Sequence, residues 1–159
     1  MSIHVQVDDS AWLAQLAEAE RRAKQMKPAM NIIAERMEQR VRNTWRTETD
    51  PWGNPWKSWK YPDQIKRARD REGFGFKKLF ETGALFSSVG RESSETSASV
   101  WIGDDETDDY TEVHQFGNDH IGQRAMLPLQ TPNSEPLLAD DWYRDAVVPL
   151  EDYILGAFF

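Results

Sequence analysis

Two apolar stripes with helical spacing open the chain. In each of them apolar residues recur at every third or fourth position, as one face of a helix requires. The first stripe consists of Trp12, Leu13, Leu16, Ala19, Ala23 and Met26. The second, which we expect to be buried, consists of Met30, Ile33, Met37, Val41 and Trp45. The pattern predicts two amphipathic helices in series.

The ends of these helices are also marked in the sequence. Asp9 and Ser10 are good N-cap residues and come directly before the first stripe. Pro28 disfavours helical geometry at Lys27, so the first helix ends or bends there. Pro28 then suits the first turn of the second helix. The N-terminal helical part is therefore expected over about residues 9–46.

The helical pattern breaks over residues 47–62, where turn residues and tryptophan gather. The turn residues are Asp50-Pro51, Gly53-Asn54-Pro55 and Tyr61-Pro62, and the tryptophans are Trp52, Trp56 and Trp59. Because exposed aromatic surface is unfavourable in water, this loop either folds back on the helices or meets a partner. Both interpretations stay open at the level of sequence.

Short helices and strands are expected over residues 63–130. The stretches 63–72 and 78–86 are typical of short helices, and another is expected around Tyr110, Val113, His114 and Phe116. Alternating apolar and polar positions predict strands at residues 87–93 and 97–102. A third strand is expected at residues 121–129, confined to a sheet edge by Pro128.

Residues 137–159 are expected to form a helical segment with a bend or break at Pro149. The sequence ends on Phe158 and Phe159, an apolar pair that suggests docking onto the core or onto a neighbour. Helices that flank hairpin strands define an α+β fold. We therefore expect one domain over residues 1–159, with N-terminal helices and a C-terminal helix packed on a small, mainly antiparallel sheet.

Charge is distributed unevenly along the chain. The formal net charge is −8, but residues 21–78 hold 16 basic and 7 acidic residues, whereas residues 79–159 hold 3 basic and 16 acidic ones. Such asymmetry indicates a nucleic-acid patch, two faces that attract each other's copies, or charges that interleave after folding. The longest uncharged run, residues 125–134, has ten residues, too few for a spanning helix, so we expect a soluble protein without a membrane partner.

Catalytic chemistry finds little support in the sequence. The absence of cysteine excludes disulfides, thiol catalysis and most structural zinc sites. His4, His114 and His120 lack metal-ligand spacing, and residues 104–109 lack the glycine and glutamate of a calcium loop. No phosphate-binding glycine motif occurs. We therefore expect no enzymatic activity and no cofactor.

Nucleic acid is the competing partner that the residues themselves suggest. Residues 57–78 contain eight Lys or Arg and three acidic residues. Trp59, Tyr61, Phe74 and Phe76 are interleaved with them. Cations for phosphates and rings for bases are typical of proteins that bind single strands. The protein as a whole is acidic, however, and this is not typical of a dedicated nucleic-acid-binding protein.

Four motifs in a fixed order resemble a known family. An aromatic residue, Trp45, ends the helical region. A D-P-x-G-x-x-W loop, an L-x-x-T-G-x-L segment, a Y-x-x-x-H-Q-x-G segment and an arginine-led segment follow it. The matching residues are Asp50, Pro51, Gly53, Trp56, Leu79, Thr82, Gly83, Leu85, Tyr110, His114, Gln115, Gly117 and Arg124. This order is similar to that of the phage virion morphogenesis family, the tail completion proteins of Mu-like and related phages.

The resemblance implies a structural virion protein at the head–tail junction, made in the host cytoplasm. It implies a ring of this chain, often hexameric, with a neck or connector protein on the head side and a tail tube or terminator protein on the tail side. A tail terminator that fixes tail length and a minor head-assembly factor are alternative roles. A nucleic-acid-binding accessory protein is a further alternative, suggested by residues 57–78 alone.

The resemblance also suggests roles for the motif residues. Gly83 and Gly117 suit sharp turns, Thr82 suits a helix cap, and His114 and Gln115 suit structural hydrogen bonds. Trp52, Trp56 and Trp59 become candidate subunit contacts, because interface cores favour tryptophan. The uneven charge fits a heterologous ring, and an acidic lumen would let DNA pass without specific binding.

Overall fold

The computed structural model describes residues 9–59, 65–66, 78–79 and 82–156. Within them the chain forms an α+β fold of five helices and one antiparallel hairpin, as predicted. The helices are α1 (Ser10–Lys24), α2 (Lys27–Thr47), α3 (Ala84–Ser87), α4 (Asp108–Phe116) and α5 (Asp140–Leu155). The strands are β1 (Gly90–Ser93) and β2 (Ala98–Trp101).

The two predicted N-terminal helices are confirmed, including the boundary between them. Helix α1 begins at Ser10, and Pro28 lies in the first turn of α2. The apolar stripe of α2 is buried at Ile33, Val41 and Trp45. The stripe of α1 behaves differently, because no residue of α1 is buried. The same sequence pattern therefore marks a core helix in one case and a surface helix in the other.

The sheet consists of β1 paired antiparallel with β2, in a register that sets Gly90 opposite Trp101 and Ser93 opposite Ala98. Both strands pack on α2. The predicted third strand at residues 121–129 is wrong, because this stretch forms no strand. Its backbone groups bond instead to the Gln115 side chain and to the carbonyl of His114.

Helix α5 packs along α2. Arg40 of α2 joins the two helices through ion pairs with Asp141 and with Asp145, the latter at 2.6 Å. The sequence predicted a bend or a break at Pro149, and a break is wrong, because α5 continues through this residue. Pro149 is buried, and its packing on the body of the protein offsets the hydrogen bond that proline cannot donate.

The core lies where α2, α3, the hairpin, the 125–127 stretch and α5 meet. Its buried residues are Val41, Trp45, Trp56, Leu85, Val89, Ile102, Met126 and Trp142. The Trp45 ring packs edge-to-face against Trp56 at 6.1 Å and against Phe86 at 5.7 Å. Aromatic pairs of this geometry add to the stabilisation that burial provides.

Two predicted helices differ from the structure or lie outside it. The expected helix at residues 78–86 begins only at Ala84, and Lys78 and Leu79 form a turn, Leu79 with a φ of +55°. Most of the expected helix at residues 63–72 lies outside the described residues, as does the Phe158-Phe159 pair.

Candidate functional site

Asp50 organises the turn of the tryptophan-rich loop. Its carboxylate accepts the backbone N–H of Trp52 at 2.9 Å, and that of Asn54 at 2.8 Å. The side-chain amide of Asn54 donates to the other carboxylate oxygen at 2.9 Å. Gly53 adopts a φ of +90°, which glycine accepts readily. The D-P-x-G part of the motif is therefore a self-contained turn, and its residues serve the shape of the loop.

The structure divides the tryptophans between the core and the surface. Trp56 is only 3% exposed, and its indole N–H donates to the carbonyl of Ala125 at 2.9 Å. Trp45 is equally buried and donates to the carbonyl of Leu79 at 3.1 Å. Both rings belong to the core of this chain, and among the candidate subunit contacts it is Trp56 that is buried here. Trp52 and Trp59 are half-buried.

Trp52 links the tryptophan-rich loop to the stretch that precedes α5. Its indole N–H donates to the carbonyl of Leu137 at 2.9 Å, just before α5. Leu137 itself is 51% exposed. The contact ties the tryptophan-rich loop to the start of the C-terminal helix and leaves part of the indole on the surface. The assignment of Trp52 and Trp59 to a subunit contact stays a prediction.

The L-x-x-T-G-x-L segment leads into α3. Thr82 accepts the backbone N–H of Ala84 at 3.2 Å, and Gly83, with a φ of +84°, lies directly before α3. Leu85 is a core residue as well. The hydroxyl of Ser88 accepts the backbone N–H of Gly103 at 3.1 Å. Ser88 thereby connects the end of α3 to the turn that follows β2.

Gln115 connects α4 to the 126–129 stretch with all of its hydrogen-bonding capacity. Its amide donates to the carbonyls of Leu127 at 2.9 Å and Leu129 at 3.0 Å. Its side-chain oxygen accepts the backbone N–H of Met126 at 2.9 Å and that of Leu127 at 3.0 Å. Gln115 thereby does for this stretch what a neighbouring strand would do, and its expected structural role is confirmed.

Gly117 ends α4 in a conformation that requires glycine. Its φ is +76°, and a Cβ at this position would lie 2.9 Å from the backbone nitrogen of Gln123. Backbone atoms cannot move aside cheaply. The close approach allows the chain after α4 to turn back beside the helix, where Arg124 donates its backbone N–H to the carbonyl of His114 at 2.8 Å.

His114 is half-buried and Arg124 is buried. Among the described residues, the Nδ1 atom of His114 and the Nε atom of Arg124 have no hydrogen-bond partner, and neither atom is accessible to solvent. Burial, and secondarily the positive charge of Arg124, lower the pKa of His114 to about 4. Burial also lowers the pKa of Arg124, while the charge of Glu48 opposes that shift. His114 is therefore neutral at physiological pH, and Tyr110 packs edge-on against its ring at 6.1 Å.

Glu48 holds both ends of the basic segment, residues 57–78. Its carbonyl accepts the backbone N–H of Trp56 at 2.8 Å. Its carboxylate accepts the backbone N–H and the ammonium group of Lys78, each at 2.9 Å. Glu48 itself adopts a left-handed conformation, with a φ of +53°, at the end of α2. No sequence pattern indicates this role, because it depends on a fold that brings both Trp56 and Lys78 to Glu48.

An acidic surface covers the start of α4. Asp104 and Thr107 form its turn, in which Thr107 accepts the backbone N–H of Asp104 at 2.9 Å and donates its hydroxyl to the Asp104 carboxylate at 2.8 Å. This arrangement is a turn that leads into α4. Six acidic side chains are exposed here: Asp104, Asp105, Glu106, Asp108, Asp109 and Glu112. Among the described residues no group of three or more histidine or acidic side chains is placed to hold a metal ion.

Beside this surface lies a groove of about 350 Å³. It runs between α4 and the stretch that Gln115 holds. Its lining residues are Ile102, Asp108, Thr111, Glu112, Gln115, Phe116, Leu127 and Leu129. The groove therefore combines an apolar surface with two carboxylates, and we call it the α4 groove.

Helix α1 presents its apolar side to solvent. Trp12, Leu13 and Leu16 are 64%, 57% and 55% exposed. The helix contacts α5 through polar groups instead, because Arg22 donates to the carbonyl of Tyr153 at 2.9 Å and the Tyr153 hydroxyl donates to the carbonyl of Gln25 at 2.8 Å. We call these three exposed side chains the α1 stripe. The sequence predicted the stripe but not its direction.

These features agree with an assembly protein, and sequence comparison establishes the family. The chain belongs to the phage virion morphogenesis family, whose sequence pattern matches residues 7–138. It is therefore a protein of phage virion morphogenesis, associated with the virion. No curated protein and no solved structure gives a significant match to the chain. Within the described ranges, none of the helices is both long enough and apolar enough to cross a membrane.

Proposed function

We propose that the protein acts in tail completion and head–tail joining, as a structural subunit of a ring at the phage neck. The observation that carries this proposal is the α1 stripe, in which Trp12, Leu13 and Leu16 are each more than half exposed. A contiguous apolar surface of this kind is typical of a protein-interaction site. Membership of a virion morphogenesis family supports assembly as the purpose of that surface.

The contacts that hold α1 indicate that its exposed apolar side is a binding surface and that α1 is not a core helix out of place. The helix is fixed to α5 by the Arg22 and Tyr153 hydrogen bonds, and the Arg22 guanidinium lies 5.8 Å from the centre of the Tyr153 ring. These contacts use the polar side of α1 and orient its apolar side outward. Burial of the stripe against another subunit would remove apolar area from water, which is the main favourable term in association.

A structural role without catalysis is part of the proposal. Of the two histidines in the part of the chain that the structure describes, the half-buried His114 lies near the positive charge of Arg124. Its Nδ1 atom has no contact with solvent. Gln115, Gly117 and Arg124, which accompany it in the motif, make backbone contacts that shape the chain.

The remaining features of the proposal follow from charge and setting. The acidic surface on α4 and the basic composition of residues 57–78 suit contacts between different faces of neighbouring copies in a ring, which we propose to be a hexamer. The net charge of −8 would let DNA pass through the lumen by repulsion. The ring would contact a neck or connector protein above and the tail tube or its terminator below.

The test is complementation of a phage whose copy of this gene carries a stop codon. Plasmids supply the wild-type protein, the stripe variant Leu13→Lys/Leu16→Lys, or the control Ala11→Lys/Ala14→Lys, which adds the same charge to exposed positions of α1 outside the stripe. We expect the control and wild type to restore infectious particles. We expect the stripe variant to leave filled heads beside detached tails of normal length in electron micrographs.

Other particle types would assign other roles. Tails of uncontrolled length would indicate a tail terminator, and empty or aberrant heads would indicate head assembly or packaging. Normal infectious particles without complementation would contradict a structural role altogether. Full complementation by a stripe variant that is folded in circular dichroism would contradict the role of the α1 stripe.

A further inference from the structure

The α4 groove has the features of a site for an aromatic and basic peptide segment. Ile102, Phe116, Leu127 and Leu129 supply apolar surface, and Asp108 and Glu112 supply carboxylates beside it. The volume of about 350 Å³ is enough for one or two large side chains. Four more exposed carboxylates, from Asp104 to Asp109, extend the negative charge beyond the groove.

These carboxylates lack positive partners within the described part of the chain. The ion pairs of that part join Glu18, Glu20, Glu35, Glu38, Glu48, Asp141 and Asp145 to their cations. None of them involves an acidic residue between positions 104 and 112. Six like charges on one small surface repel each other, and a cationic partner would relieve that repulsion.

The same chain contains a segment of matching chemistry. Residues 57–78 hold eight Lys or Arg against three acidic residues, with Phe74 and Phe76 among them. Glu48 fixes the two ends of this segment, at Trp56 and Lys78, to the end of α2. The described residues at both ends of the segment are therefore held at one residue.

We propose that the α4 groove binds the basic segment, residues 57–78, of a second copy of this chain. This inference rests on the proposed ring and specifies the contact between its neighbours. Aromatic side chains of the segment enter the apolar part of the groove, and its cations pair with Asp108, Glu112 and the carboxylates around them. Because the two surfaces differ, the contact is heterologous and repeats from copy to copy, as a ring requires.

Charge reversal on each side tests the contact. The groove variant is Asp108→Lys/Glu112→Lys, the segment variant is Arg67→Glu/Arg69→Glu/Arg71→Glu, and a third chain carries both sets of changes. The control Asp119→Lys/Glu135→Lys reverses two exposed acidic residues outside the groove. Analytical ultracentrifugation of the full chain over a range of concentrations measures assembly, and circular dichroism verifies folding.

We expect each single-side variant to require at least about tenfold more protein for half-maximal assembly than wild type and the control do. We expect the chain with both reversals to regain assembly, and an equimolar mixture of the two single-side variants to assemble as well. Restored assembly cannot come from a misfolded chain, so this arm keeps the result independent of any loss of stability.

Three results would overturn the proposal. The first is assembly of the groove variant at the concentrations at which wild type assembles. The second is failure of the doubly reversed chain to assemble. The third is a wild-type chain that stays monomeric, together with variants that differ from it only in melting temperature. The last would mean that the segment binds within its own chain. The proposed ring is tested separately by complementation, where normal tail joining by a groove variant would reject this contact and leave the neck function standing.

Discussion

The side-chain oxygen of Gln115 accepts the backbone N–H of Met126 at 2.9 Å, although no strand or helix joins the two stretches. Three further bonds between the Gln115 carboxamide and Leu127 or Leu129 complete the contact. Gln115 is 4% exposed and Met126 is fully buried. One side chain thus satisfies backbone groups that would otherwise be buried without partners, which is costly.

We expect Gln115→Ala to lower the free energy of unfolding by about 3 kcal/mol, because it leaves several buried backbone groups unpaired. Urea denaturation monitored by tryptophan fluorescence measures the change. Gln123→Ala is the matched control, since Gln123 donates only one bond, at 3.2 Å, to the carbonyl of Gln115. Equal losses in the two variants would show that the carboxamide contacts of Gln115 do not hold the 126–129 stretch.

His114 should make stability depend on pH. Its pKa is about 4 in the folded protein and near 6.5 when unfolded. The stabilisation that comes from a neutral, half-buried His114 is therefore complete above pH 6.5 and is lost as the pH falls toward 4. We expect His114→Gln to remove about 2 kcal/mol of this dependence, allowing for partial solvent screening. His120→Gln, at an exposed position, is the matched control for the loss of a histidine.

The measurement is chemical denaturation of wild type and both variants at several pH values between 4 and 7.5. The difference between wild type and His114→Gln isolates the histidine from the carboxylates that also titrate in this range. A difference that stays constant across the series would contradict a half-buried neutral His114 beside Arg124.

The two tryptophans of the D-P-W-G-N-P-W loop should respond differently to truncation. Trp56→Ala removes a buried ring from the core, so we expect a loss of about 4 kcal/mol in the free energy of unfolding. Trp52→Ala removes a half-buried ring and one hydrogen bond to Leu137, so we expect a loss below about 2 kcal/mol. Thermal and urea denaturation measure both. Similar losses in the two variants would mean that the two rings are equally buried, which would contradict the structure.

Two glycines with positive φ provide a matched pair. Gly117→Ala would place a Cβ 2.9 Å from the backbone of Gln123, whereas Gly53→Ala would meet no atom within 4 Å. Backbone strain costs about 1 kcal/mol for a residue with a side chain in the left-handed region. It is larger, on the order of 1–3 kcal/mol, at Gly117, because its ψ of 173° lies in a region that glycine alone adopts readily. We expect Gly53→Ala to lose about 1 kcal/mol and Gly117→Ala to lose at least about 2 kcal/mol more through strain and steric overlap. Melting temperatures suffice for the comparison, and equal shifts would contradict the close approach at Gly117.

Much of the architecture was predictable because it depends on local pattern. Residue spacing located α1, α2 and the β1–β2 hairpin, and Pro28 marked the boundary between the first two helices. The helix around Tyr110 was also predicted correctly. The stretch 121–129 was not, because the side chain of Gln115 satisfies backbone groups there without a second strand. No sequence period encodes such a contact.

The candidate site was harder to predict, because tertiary contacts decide which apolar residues face outward. The stripes of α1 and α2 look alike in sequence, yet only that of α2 is buried. Motif matching found Trp45, Trp56 and Leu85, but membership of a motif does not separate core residues from interface residues. The sequence also does not show that Glu48 lies beside both Trp56 and Lys78, since Lys78 is 30 positions away from Glu48 along the chain.

The contacts of Glu48 with Trp56 and Lys78 have a consequence for how the length of the basic segment can vary. Trp56 and Lys78, the residues at its two ends, both contact Glu48, so a change in the number of residues between them leaves the points where the chain departs and returns in place. Closing a longer stretch adds little entropic cost. Insertions and deletions within a phage lineage are therefore expected to be tolerated better between these two positions than within α2 or the tryptophan core.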